Sequence, residues 1–204
     1  MGSSLAGERT QRTSTEMNEE ASYSLVALDL DGTLLQSNHQ IADEQAEYLR
    51  SLHNRGFKVC FATGRAAPSI YEHVKRINLP DPIPIVCSNG GQGFLCDTKL
   101  QKQPLFYTPV PKETVTKTVN LAKEHGFSVQ FYYEDSIYVA NAITEGLKEK
   151  SRAYTELTGS EIIPVDHDFQ LFLDRDQLPS KLLVLFETSN TQGWTSCCAL
   201  VSDK

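Results

Sequence analysis

Two carboxylates, Asp29 and Asp31, stand two positions apart where the apolar run Leu25-Val26-Ala27-Leu28 gives way to Gly32 and Thr33. Such a run reads as a strand buried on both faces, and open parallel sheets bind ligands beyond the carboxyl ends of their strands. A two-residue period points both side chains to the same side, while Gly32 lets the backbone turn sharply. Carboxylates this close repel unless a cation lies between them or they share a proton. Mg²⁺ suits such a pair, because it takes hard oxygen ligands and often accompanies phosphate. A structural reading competes: a turn in which Asp31 caps the backbone and Asp29 is a solvated strand end.

Two more polar loops follow apolar runs. The run from Phe57 to Ala62 leads into Thr63-Gly64-Arg65, which taken alone also fits a strand-to-helix turn with Thr63 near an N-cap. The run Ile83-Pro84-Ile85-Val86-Cys87 leads into Ser88-Asn89-Gly90-Gly91, and Asn-Gly is itself a strong turn signal. Between these runs lie helical patterns. Ala46, Leu49 and Leu52 recur at near-helical spacing, with Gly56 as a stop. Pro68 fits a first-turn position before the stripe Ile70, Tyr71, Val74 and Ile77. Strand, helix, strand implies right-handed parallel crossovers, so the three polar loops belong at one edge of a sheet.

The string Asp29-Leu30-Asp31-Gly32-Thr33-Leu34-Leu35 after an apolar strand resembles the first motif of the haloacid dehalogenase superfamily, and Thr63-Gly64-Arg65 resembles its second. The resemblance implies an α/β fold: a Rossmann-like parallel sheet core, here incomplete, with an inserted α+β cap of the Cof type. It also implies a Mg²⁺-dependent phosphatase. Asp29 would be the nucleophile that forms an aspartyl-phosphate, and Asp31 the general acid and base. The Asp29 side chain and the Asp31 carbonyl would hold the metal. Gly32, Thr33, Thr63, Gly64 and Arg65 would lie around the phosphoryl group, with Thr63 donating its hydroxyl and backbone N–H, and Asn89 would reach toward the substrate. The chemistry is coherent, since a carboxylate nucleophile splits one displacement into two and a metal offsets repulsion between anions. Phosphomannomutases share the first motif, but Ala62-Thr63-Gly64-Arg65 fits the phosphatase branch better.

Composition agrees with an enzyme of one or two domains: 204 residues, 40% hydrophobic, and no apolar run long enough to cross a bilayer. The net charge of −7 argues against nucleic acid or anionic membrane as partners and leaves a small phosphorylated substrate to be drawn in by local features such as Arg65. Five irregularly spaced cysteines argue against a disulfide framework or zinc site, and Cys60 and Cys87 read as small core residues. Residues 1–21 read as a polar tail with no apolar signal core, so a cytoplasmic location is expected. Met1-Gly2-Ser3-Ser4-Leu5-Ala6 is a poor myristoylation match.

Residues 22–107 form the expected core and 108–190 the expected cap, followed by an irregular tail over 191–204. Phe94-Leu95-Cys96 and Leu105-Phe106-Tyr107 suggest a hairpin leading out of the core. Val115, Val119 and Ala122 predict a helix that Gly126 closes, and Phe127 to Tyr133 alternate as a strand with one wet face and Ile137-Tyr138-Val139 as partner. A helix over Ala142 to Leu157 and an apolar run from Lys181 to Phe186 complete the pattern. Leu171-Phe172-Leu173-Asp174-Arg175-Asp176 mimics the first motif but lacks its Gly-Thr, and reads as a cap strand with a polar turn.

The superfamily's later motifs, a phosphate-binding Lys and an acidic segment that completes the metal site, have no counterpart here. Lys181 stands in cap-strand context, and Glu187 and Asp203 have no matching surroundings. The expectation is therefore a truncated product of a longer phosphatase, with the edge of its first strand open to a partner chain. A weakly active or inactive chain that binds phosphate or such a partner is the alternative function.

Overall fold

A computed structural model describes residues 24–140, 144–158, 160–165 and 168–186 of the chain. The expected tails, Glu187, Cys197-Cys198 and Asp203 lie outside the described residues.

Three short apolar runs become three parallel strands. β1 (Leu25–Leu28) pairs with β2 (Lys58–Ala62), and β2 pairs with β3 (Ile83–Cys87). Helix α1 (Asp43–Asn54) returns the chain from β1 to β2 and buries Ala46, Leu49 and Leu52, the residues its periodicity singles out. The Gln45 side chain accepts the Ala42 N–H at 2.9 Å and satisfies one orphan donor at its start. A tight turn over Ala67–Ile70, with Pro68 near its beginning, feeds α2 (Tyr71–Ile77). Leu30, Ile41, Phe61, Ile70, Ile77 and Ile85 are wholly buried where the helices meet the sheet. Cys60 and Cys87 are free and buried, as expected of small core residues.

Two expectations for this sheet need correction. β1 is not buried on both faces: its residues alternate between exposed and half-buried, and Leu25 is 54% exposed. The cause is position, since among the described residues β1 is an outer strand paired only with β2. Nor does the next hairpin lead out of the core. β4 (Gln92–Cys96) pairs antiparallel with β3, and β5 (Lys102–Tyr107) pairs with β4, giving the order β1-β2-β3-β4-β5.

The second sheet begins after α3 (Lys112–His125), which ends at Gly126 in the left-handed conformation, φ 69°. β6 (Ser128–Tyr133) pairs with β7 (Ser136–Ala140). Helix α4 (Glu145–Thr158) leads to β8 (Ile162–Pro164), and the short α5 (Gln170–Asp174) leads to β9 (Lys181–Leu185). The spatial order is β8-β7-β6-β9. One face packs Val115, Val119 and Ala122 of α3 against Val129 and Phe131, whose ring stacks on Phe169 with centroids 4.6 Å apart.

The expected wet face of β6 is dry: Ser128, Gln130 and Tyr132 are all buried. Tyr132 and Ile137 pack against Ala66 in the loop after β2, and the Ser128 hydroxyl donates to the Ala140 carbonyl at 3.0 Å. Leu171 to Asp174 form a helix, not a strand. Asp168 accepts the Gln170 N–H at 3.0 Å in a side-chain turn, and the Leu173 N–H donates to the Phe169 carbonyl at 3.0 Å, so local hydrogen bonds outcompete the strand pattern. The two sheets also meet through Val110 N–H to the Pro179 carbonyl and the Tyr107 hydroxyl to the Leu178 carbonyl, each 2.7 Å. Lys102 joins Asp135 across the same boundary at 2.7 Å. Among the described residues no helix is long and apolar enough to cross a membrane.

Truncating Phe131 to Ala removes the centre of the second core and is expected to cost about 3–5 kcal/mol in urea unfolding. The exposed Leu171→Ala is expected to stay within about 0.5 kcal/mol, and equal losses for the two would contradict the packing described.

Candidate active site

Parallel pairing registers Leu25 with Lys58 and Phe61 with Ile85, so the ends of β1, β2 and β3 open on one edge. The first loop is a wide turn over Leu30–Leu34, closed by the Leu35 N–H on the Leu30 carbonyl at 2.8 Å. Leu30 and Leu34 anchor it in the core. Gly32 takes φ +72°, which side-chain-bearing residues rarely adopt, and Gly32 and Thr33 are exposed with the two acids. The Asp29 carboxylate accepts the Leu30 N–H at 2.8 Å through Oδ1. The capping role thus falls to Asp29 and not to Asp31.

Asp31 is instead gripped from the second loop. Arg65 donates from Nε to Asp31 Oδ2 and from one terminal nitrogen to Oδ1, each at 2.7 Å. The guanidinium is 7% exposed and the carboxylate side chain 52%, so a buried cation presents an outward-facing acid. His39 Nδ1 stands 3.9 Å from the same carboxylate. The Arg65 hydrogen bonds hold the Asp31 carboxyl below its ordinary range despite partial burial, with smaller help from His39. Buried His73 on α2 is pushed down to about 4, first by burial and then by Arg65. It is therefore neutral near pH 7.

Thr63 is buried at the end of β2. Its backbone N–H donates to the Val86 carbonyl at 2.9 Å, continuing the ladder, so the expectation that this N–H serves a phosphoryl group is not met here. Thr63 Oγ1 accepts the Arg65 N–H at 3.3 Å, which leaves the hydroxyl proton to donate elsewhere. Asn89 is exposed in the third loop, in the left-handed conformation at φ 56°, and its N–H reaches the Thr63 carbonyl at 3.4 Å. Its amide lies so close over Gly64 that a Cβ there would collide with the amide oxygen. The structure thus brings Asp29, Asp31, Gly32, Thr33, Thr63, Gly64, Arg65 and Asn89 to one edge, with Arg65 engaged by Asp31.

One residue that its cap-strand context had set apart from the site joins them. Lys181, the first residue of β9, donates from Nζ to the Gly64 carbonyl at 2.9 Å. Its only sequence signal is the position of a lysine at the head of an apolar run after Pro179-Ser180. The decoy acids do not join: Asp174 accepts from Gln170 within α5.

A family model for haloacid dehalogenase-like hydrolases matches residues 26–197. The chain belongs to the haloacid dehalogenase-like hydrolase family. A crystal structure of such a hydrolase from Bacteroides thetaiotaomicron superposes with a TM-score of 0.68 at 20% identity, covering 90% of this chain and 66% of that one. Among curated relatives, the 5-amino-6-(5-phospho-D-ribitylamino)uracil phosphatase YitU of Bacillus subtilis is 28% identical over 120 residues, 54% of this chain and 43% of that protein. The phosphatase YwpJ of Bacillus subtilis is 26% identical over 148 residues, 71% of this chain and 43% of that protein. The chain spans about half the length of the curated relatives it matches.

Replacing Arg65 with Met is expected to raise the Asp31 pKa toward the ordinary carboxylate value, read by carboxyl NMR titration. Because the folded pKa is lowered, the pair contributes stability above the unfolded carboxylate pKa and loses it as pH falls through the folded value. The stability gap between wild type and R65M should therefore close in acid. A gap that stays constant to the acid limit would show that Arg65 acts through packing alone.

Proposed function

We propose that the chain is the nucleophile-bearing part of a phosphomonoester hydrolase that works through an aspartyl-phosphate on Asp29. One observation carries the reading: in a haloacid dehalogenase-like hydrolase, the Asp29-x-Asp31 turn, the buried Thr63 hydroxyl and Asn89 open on one edge of three parallel strands. An Asp29 oxygen attacks phosphorus as the P–O ester bond breaks. Asp31 gives the leaving oxygen its proton and later takes one from the attacking water. Arg65 holds Asp31 ionised in the state described, so Asp31 acts as the acid only after the two-pronged pair loosens. Thr63 donates its hydroxyl to a phosphoryl oxygen, and Asn89 orients the rest of the substrate.

Mg²⁺ is the cofactor this reading requires. Asp29 Oδ2 accepts no hydrogen bond among the described residues, and Asp29 and Asp31 are both exposed. Those oxygens fit a cation that takes one or two carboxylates and keeps several waters. The Asp29 carboxylate and the Asp31 carbonyl would hold it, and when bound it supplies Lewis-acid charge against the phosphoryl oxygens. The substrate class is a small phosphorylated metabolite such as a sugar phosphate, an extension supported by the phosphorylated ribityl compound in the name of the Bacillus relative. The second sheet would serve as the cap that closes over it.

A second reading has an observation of its own. No group of three His, Cys, Asp or Glu side chains gathers among the described residues, so a weakly active chain that binds phosphate fits as well. The outer edge of β1 would then offer backbone groups to another chain.

The deciding experiment is hydrolysis of a panel of sugar phosphates by the full chain with Mg²⁺, with EDTA, and as Asp29→Asn. Turnover that disappears in EDTA and falls at least about 10³-fold in D29N supports the enzyme. Equal rates for wild type and D29N would refute it, and undetectable turnover with intact phosphate binding would select the second reading.

A further inference from the structure

The loop between β3 and β4 has an uncommon hand. Ser88, Asn89 and Gly90 take φ values of 53°, 56° and 90°, three left-handed residues in a row. Cys87 and Gln92 pair across it, and a hairpin connection of this length is most often built on a right-handed turn. L-residues visit the left-handed region singly, as a rule. Gly90 suits that region and Asn89 tolerates it, but the buried Ser88 has no such preference. Strain of this kind persists only where the surroundings over-determine it, and it collects at binding sites.

The surroundings are the second loop on one side and the second sheet on the other. The Ser88 N–H donates to the Arg65 carbonyl at 2.9 Å, and the Asn89 N–H to the Thr63 carbonyl at 3.4 Å. The Asn89 amide leaves no room for a Cβ at Gly64, and the Ser180 carbonyl leaves none at Gly91. The Gly91 N–H closes the turn on the Ser88 carbonyl at 3.1 Å. Every described peptide is trans, so each carbonyl and the N–H that follows it point in opposite directions. With the Thr63 and Arg65 carbonyls drawn to the third loop, the Gly64 and Ala66 N–H groups are turned away from it. A loop in that orientation offers donors to an anion beside the Thr63 hydroxyl, whereas flipped planes would offer carbonyl lone pairs and repel it.

We infer that Ser88-Asn89-Gly90 is a positioning element, whose left-handed course fixes the peptide planes of the Thr63-Gly64-Arg65 loop and thereby that loop's affinity for a phosphoryl anion. Ser88 and Gly90 are positioning residues that act through the second loop. The inference rests on the phosphoryl chemistry of the proposed function, yet it concerns binding and is separable from turnover. A turn that merely joined β3 to β4 would affect stability and leave anion affinity alone.

The test titrates the full chain with inorganic phosphate by calorimetry, as wild type, Gly90→Ala, Gly56→Ala and Ser88→Gly. Gly90 and Gly56 both take φ +90° with open space where a Cβ would stand, so each alanine challenges the backbone alone. Gly56 precedes β2, at the end of that strand away from Thr63. Both alanine variants are expected to melt earlier than wild type by similar amounts. Phosphate affinity is expected to fall about tenfold or more in G90A and to stay within about twofold in G56A. S88G is expected to stay within about threefold, because glycine keeps the left-handed course without the hydroxyl. Equal affinities for G90A and G56A, a loss in S88G as large as in G90A, or no saturable binding by the wild type would overturn the inference. Should G90A fail to fold, the wild type decides alone. Its Ser88 and Asn89 amide resonances are expected to shift with phosphate along the same saturation curve as Gly64 while Gly56 stays still, and unmoved Ser88 and Asn89 signals count against the inference. D29N that still hydrolyses esters would remove the proposed mechanism without touching this result, because phosphate affinity is read independently of turnover.

Discussion

The parallel ladder of β1, β2 and β3 is the constraint on which the site depends. Parallel strands joined by helices must all end at the same edge, so three loops far apart in sequence meet there whatever their own residues are. The apolar runs drive the ladder by burying Phe61, Ile83 and Ile85 against α1 and α2. The polar residues that follow each run are excluded from that core. A site is therefore the by-product of packing, and chemistry enters only through which side chains the loops carry.

On that edge the charges organise one another. A buried Arg65 holds an exposed Asp31 by a two-pronged contact, and the same guanidinium contributes to keeping His73 neutral. Two carboxylates that seemed bound to share one ion are separated in role: Asp29 caps its own turn, and Asp31 answers to the neighbouring loop. The second sheet meets this arrangement from the other side through Lys181, and Tyr132 and Ile137 dry the face between them.

Many of the elements were legible because their signals are local. The periodicity of Ala46, Leu49 and Leu52 marks α1, Pro68 marks the turn before α2, and Gly126 marks the end of α3. The misreadings share a cause. Burial of β1, the face of β6 and the direction of the β4–β5 hairpin all depend on what lies opposite, which period-two patterns do not record. The segment Leu171 to Asp174 failed differently: its apolar run suits a strand, but a side-chain turn at Asp168 leads into a helix.

The sequence by itself determined the family, most of the strands and helices, and the eight loop residues that crowd one edge, because each is encoded within a dozen residues by apolar runs and turn chemistry. Only the tertiary structure decided who partners whom. The grip of Arg65 on Asp31, the diversion of the Thr63 N–H into the ladder, and the arrival of Lys181 at Gly64 all join residues distant along the chain. Such pairings depend on how two sheets pack in space, and no local pattern specifies that.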